Sequence, residues 1–132
     1  MLRYLLDTNI CIHVLKHKPA AARDRFNRHA AHLCTSSVVI AELLYGAEKS
    51  SRPDDNRDSV EAFATRLEVI PFDQRAATHY GVIRAALERE GMPIGPYDLM
   101  IAAHARSLGL TLVTNNTKEF QRVPGLLLED WS

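Results

Sequence analysis

Three carboxylates stand in places where a carboxylate needs a reason. Asp7 directly follows the short apolar run Arg3–Leu6, so its side chain is expected at the end of a strand. Glu42 lies within Val38-Val-Ile-Ala-Glu-Leu-Leu44, which is apolar nearly all round. At ~100° per residue it falls between the directions of Val38 and Val39. A lone carboxylate there costs several kcal/mol unless it is paired or bound to a metal. Asp98 precedes Leu99-Met-Ile-Ala-Ala103, with Ile101 and Ala102 one turn on. Each also has a plainer reading. Asp7 would cap a helix, Glu42 would pair with an arginine, and Asp98 would sit favourably in a first helical turn.

If the three meet, the chemistry is constrained. Clustered carboxylates repel one another and call for a counter-charge. Oxygen donors suit Mg2+ or Mn2+, whereas Zn2+ sites prefer His and Cys. Such a centre activates a water for attack on a phosphodiester. No Ser-His-Asp order or Walker-A loop offers a rival mechanism. The six histidines, His13, His79 and His104 among them, show no ligand-type pairing and are read as surface or core residues. Cys11 and Cys34 lack ligand spacing and are read as small buried apolar side chains.

The elements that must position these groups follow from periodicity and caps. Strand Arg3–Leu6 ends at Asp7-Thr-Asn9, which favours a helix start, and a short helix Ile10–Leu15 follows. Lys18-Pro19 breaks it, and Ala20–Ala30 forms a second helix. A strand His32–Thr35 leads through Ser36-Ser37 into a helix Val38–Lys49. Pro53-Asp54-Asp55 opens a helix to about Leu67, and Glu68–Ile70 is a brief strand ended by Pro71. Asp73 caps a long helix to Glu90, and Tyr97–Leu108 forms another, with Pro96 suited to its first position. Leu110–Thr114 is the clearest strand, Asn115-Asn116 caps a short turn, and Leu126–Leu128 is a last edge strand. Alternating strands and helices predict an α/β three-layer sandwich, with a central parallel sheet of four or five strands flanked by helices. Ligands in such sheets bind beyond the carboxyl ends of the strands.

The chain has 132 residues, enough for one domain over 1–132 with a real core. No apolar run is long enough to span a bilayer, and Asp7 comes too early for a signal peptide, so a cytoplasmic protein is expected. Net charge is zero, which argues against wholesale non-specific nucleic-acid binding. Its distribution says more. Lys16, Lys18, Arg23, Arg25 and Arg28 cluster between residues 16 and 28 against only Asp24. This stretch is either a solvated helix face or, if an active site lies beside it, a contact for phosphates.

Four segments in order resemble the VapC toxins of the PIN-domain family. They are Leu5-Leu-Asp-Thr-Asn9, Ser37…Ala41-Glu-Leu43…Gly46, Asp98-Leu-Met-Ile-Ala-Ala-His-Ala105 and Leu112-Val-Thr-Asn-Asn116…Glu119-Phe120, with Leu128-Glu-Asp-Trp131 closing the chain. The resemblance implies a PIN-like fold and a Mg2+- or Mn2+-dependent endoribonuclease toxin. It also implies a cognate VapB antitoxin, a toxin homodimer, and contact with operon DNA only through the antitoxin. By position, Asp7, Glu42 and Asp98 match the family's three acidic metal-site residues. Asn116 falls where many PIN domains carry a fourth Asp; its amide oxygen can bind metal or water but brings no charge. Glu119, three residues on, is placed to compensate. The resemblance further suggests tRNA as substrate, initiator tRNA near the anticodon in particular. Two rivals are a PIN fold kept as an inactive protein-binding module and a metal-dependent phosphatase. The haloacid-dehalogenase type of phosphatase needs a second Asp where Asn9 stands.

Overall fold

A computed structural model describes residues 1–18 and 20–131. The strands are β1 (Tyr4–Leu6), β2 (Leu33–Ser36), β3 (Glu68–Ile70), β4 (Thr111–Val113) and β5 (Leu127–Glu129). They form one sheet in the order β3-β2-β1-β4-β5, parallel at every pairing. The helices are α1 (Thr8–Lys16), α2 (Ala20–Arg28), α3 (Ser37–Glu48), α4 (Pro53–Ala64), α5 (Gln74–Arg89), α6 (Pro96–Leu108) and the single turn α7 (Thr117–Phe120). A 3-10 turn, Ala30–His32, leads into β2.

β1 is the centre of the sheet and is buried on both faces, as a run of Tyr-Leu-Leu demands. Chain order runs outward from it to β2 and β3, then returns across it to β4 and β5. Right-handed crossovers therefore place α1–α4 on one face and α5–α7 on the other. The packing agrees: α1 lies against α2, α3 and α4, and α5 runs along α6. The reversal of winding opens a crevice between the carboxyl ends of β1 and β4, where ligands of such folds bind.

The expected elements all form, with ends shifted by a residue or a few. α1 begins earlier than predicted because Asp7 accepts a hydrogen bond from Ile10 N at 2.9 Å and starts the helix at Thr8. α4 stops at Ala64, short of the predicted Leu67, where Thr65 folds its hydroxyl onto the Ala62 carbonyl. The break expected at Pro19 lies outside the described residues. Gly109, at φ 68°, ends α6 in the left-handed conformation that glycine adopts without cost. Cys11 and Cys34 are free and fully buried, and apolar surroundings push the Cys34 thiol up to about 12. No helix among the described residues is long and apolar enough to cross a membrane.

Candidate active site

The crevice between β1 and β4 is built from strand ends. The Asp7 backbone N–H donates to the Val113 carbonyl at 3.0 Å, so the residue after β1 is still tied to β4. Its side chain is only 3% exposed. Burial raises the Asp7 carboxyl from 3.8 to about 6, against hydrogen bonds from Thr114 and Ile10; the charge of Glu42 adds to the rise. Asp98, half-buried in the first turn of α6, is likewise raised to about 6. Burial is again the main cause, followed by the charges of Glu119, Glu42 and Asp7. Four carboxylates from four elements thus share one electrostatic environment.

Glu42 is half-buried on α3, and Thr8 Oγ1 donates to its Oε1 at 2.6 Å. α3 is less enclosed than its composition predicts. Val38, Val39, Leu43 and Ala47 are buried, while Ala41 and Tyr45 face out. No ion pair joins Asp7, Glu42, Asp98 or Glu119 to a Lys or Arg among the described residues, so the arginine partner weighed for Glu42 is absent there.

Asn116 departs from the expected role of cap. It occupies the N-cap position of α7, but its side chain makes no capping bond. Its Nδ2 instead donates to Glu119 Oε2 at 3.2 Å, and its backbone N–H donates to Thr114 Oγ1 at 2.9 Å. A one-turn helix gains little from a cap, while Glu119 otherwise stands among like charges. The amide thus orients the carboxylate that bears most on Asp98.

The basic stretch does not assemble into one surface at this edge. Lys16 lines a cleft of about 410 Å³ between α1, α3 and α4 that also contains Glu42. Lys18 is exposed beyond α1, and the Arg23 guanidinium is bonded to His17 Nδ1. Arg25 pairs with Glu129 at 3.4 Å, and Arg28 ends α2. The chain after α2 enters the amino end of β2, so Arg28 lies toward the opposite edge of the sheet from Asp7.

Two positioning groups were not foreseen from the sequence: Thr8, which holds Glu42, and Thr114, whose hydroxyl serves Asp7 and Asn116. Their signal was a hydroxyl residue flanking each of two adjacent strand ends. His104 is a buried core histidine, as expected. Its Nδ1 lies 2.8 Å from Ser36 Oγ, and Ser36 also accepts from Val38 N to start α3. The helices bearing Glu42 and Asp98 are therefore linked beyond the end of β2.

No three of the described His, Cys, Asp and Glu side chains converge into a ready metal-ligand set. In kind, however, the donors fit a hard divalent cation: they are carboxylate oxygens, mutually repelling and not neutralised by an ion pair among the described residues.

The PIN-domain profile matches residues 4–126. The tRNA(fMet)-specific endonuclease VapC of Shigella flexneri is 57% identical over 132 residues, covering all of both chains. This chain belongs to the VapC family of PIN domains. Within that family, VapC of the DNA-bound VapBC complex from Salmonella typhimurium superposes with a TM-score of 0.96 at 54% identity, covering all of both chains. The corresponding chain of the promoter-bound VapBC2 from Rickettsia felis gives a TM-score of 0.92 at 40% identity, covering 99% of this chain and 100% of its own.

Proposed function

We propose that this VapC-family chain is the toxin of a VapB–VapC pair and a divalent-metal-dependent endoribonuclease acting on tRNA, initiator tRNA in particular. The observation that carries the reading is the cluster of carboxylates at the β1/β4 crevice, without ion-pair partners among the described residues. The Shigella flexneri relative, a tRNA(fMet)-specific endonuclease, supplies the substrate. The VapBC complexes supply the partner, a VapB antitoxin through which DNA is reached. The chain works in the cytoplasm as a single domain, 1–132, paired as a homodimer.

Asp7, Asp98 and Glu42 are the residues to hold Mg2+ or Mn2+, with Glu119 and the Asn116 oxygen beside them. When bound, the cation supplies positive charge for the phosphodiester and activates water for its hydrolysis. The chain's own groups set the stage. Burial, with the charges of neighbouring carboxylates adding to it, raises the carboxyl pKa values of Asp7 and Asp98, and both effects are penalties on the ionised forms that a bound cation would offset. Thr8 keeps Glu42 turned to the crevice, and Thr114 keeps Asp7 there. Lys16 offers a phosphate contact along the cleft leading from Glu42.

The test is incubation of the antitoxin-free protein with total tRNA and Mg2+, beside an EDTA control and Asp7→Asn, with sequencing of new RNA ends. Discrete cuts lost in both controls are expected. No cut in any RNA from folded, metal-loaded protein would return the chain to the inactive binding-module reading.

A further inference from the structure

A second cleft, of about 550 Å³, opens between α3 and α6 and shares Glu42 with the carboxylate site. Val38, Ala41 and Met100 give it an apolar lining, and Tyr45 and Tyr97 complete it. Both tyrosines are open to solvent, 67% and 60% exposed. Their places in the chain are informative. Tyr45 lies one helical turn after Glu42, and Tyr97 immediately precedes Asp98. Two large aromatic plates thus stand beside two of the carboxylates, in a region where folding alone gains little from them. Lys49 adds a cation 5.0 Å from the Tyr45 ring centroid.

Building on the ribonuclease reading above, we propose that Tyr45 and Tyr97 form a stacking subsite for an unpaired nucleobase next to the scissile phosphodiester. A phosphodiester held by the cation that Asp7, Glu42 and Asp98 would bind carries a base on the adjoining ribose, and the cleft sharing Glu42 is placed to receive it. The cleft suits a base better than a phosphate, because its lining is apolar and its one carboxylate repels anions. Bases offer a π-face whatever their identity, and stacking on aromatic side chains is how proteins hold single-stranded RNA. A paired, stacked base cannot enter, so the subsite directs cleavage to loops. A second copy of the chain is the other candidate occupant. A stable interface between copies needs on the order of 800 Å² per partner, and one laid over this cleft would bury the Glu42 carboxylate, which has no ion-pair partner among the described residues.

The test uses the tRNA cut in the experiment above, with 2-aminopurine in its anticodon loop beside the cut, and the full-length protein as wild type, Tyr45→Leu, Tyr97→Leu and Tyr97→Phe. Leucine keeps apolar volume and removes the π-face; phenylalanine keeps the π-face. Wild type and Tyr97→Phe are expected to quench the 2-aminopurine. Each leucine variant is expected to lose quenching and to raise KM roughly 10-fold to 100-fold, with a smaller change in kcat. Unchanged KM and quenching in both leucine variants would overturn the subsite while leaving the ribonuclease reading intact. A leucine variant that becomes monomeric by light scattering but cleaves with unchanged KM would assign the cleft to a second copy. A wild type that cuts no RNA would remove both readings at once.

Discussion

Thr8 Oγ1 lies 2.6 Å from Glu42 Oε1, joining the first turn of α1 to the middle of α3. The two residues are far apart in sequence, and the bond forms only because β1 and β2 pair in register, Leu6 opposite Thr35. It fixes the torsion of a carboxylate that has no ion-pair partner among the described residues. Thr8→Val keeps shape and loses the donor; it is expected to reduce cleavage about 10-fold or more, in line with the cost of misplacing an active-site group. Thr8→Ser should restore most of it. Equal activity in Thr8→Val and wild type would show that Glu42 needs no such hold.

Asp7 carries a burial penalty that the metal-free protein bears alone. Its carboxyl titrates near 6 in the folded chain against 3.8 when unfolded, so the folded state binds the extra proton between those values. Asp7 therefore favours folding below pH ~4, and that contribution disappears as pH rises through about 6. Asp7→Asn retains an acceptor for Ile10 N and removes the charge. In EDTA at pH 7 it is expected to melt higher than wild type, by on the order of 2–3 kcal/mol or roughly 5–10 °C, and the gap should close by pH 4. A variant that melts lower than wild type at pH 7 would contradict the burial argument.

Asn116 and Glu119 make a graded test of the cation. Asn116→Asp replaces an amide donor 3.2 Å from Glu119 Oε2 with a like charge. The metal-free variant should melt below wild type at pH 7. Saturating Mn2+ should then raise its Tm by more than it raises that of wild type, since stabilisation by a bound ligand grows with the logarithm of its affinity. Asp98→Asn should show the reverse, a smaller Mn2+ shift. Identical shifts in all three proteins would place the cation elsewhere.

Charge reversal separates the basic residues by position. Lys16→Glu, in the cleft that reaches Glu42, is expected to raise KM for tRNA several-fold and to reduce its salt dependence. Arg28→Glu, toward the other edge, should leave both within about two-fold. If the two variants behave alike, RNA runs over α2 as well.

Most of the architecture was legible because it is local. Asp7, Ser36 and Asp73 each cap the helix that begins beside them, and the short β-rich runs admit few alternatives. Asp98 was legible as an acid in apolar company. Glu42 was legible only as an anomaly: periodicity made it a buried acid, whereas it is half-buried and bonded to Thr8. Where the basic stretch points depends on the direction of α2 across the sheet, a tertiary fact that charge spacing does not encode. Asn116 misled for a related reason. Its side chain had two uses, a local cap and a bond to Glu119, and the like charges around Glu119 favoured the second.

The central place of β1 has a consequence for synthesis. A ribosome makes Asp7 with β1, but β4, with the Thr114 hydroxyl that steadies that carboxylate, follows only after β2, β3 and the helices between them. Until then the crevice has one wall. On the ribonuclease reading proposed above, chains that stop short of β4 lack Thr114 beside Asp7 and are expected to be inactive, so the order of strands holds back toxicity until β4 has been made.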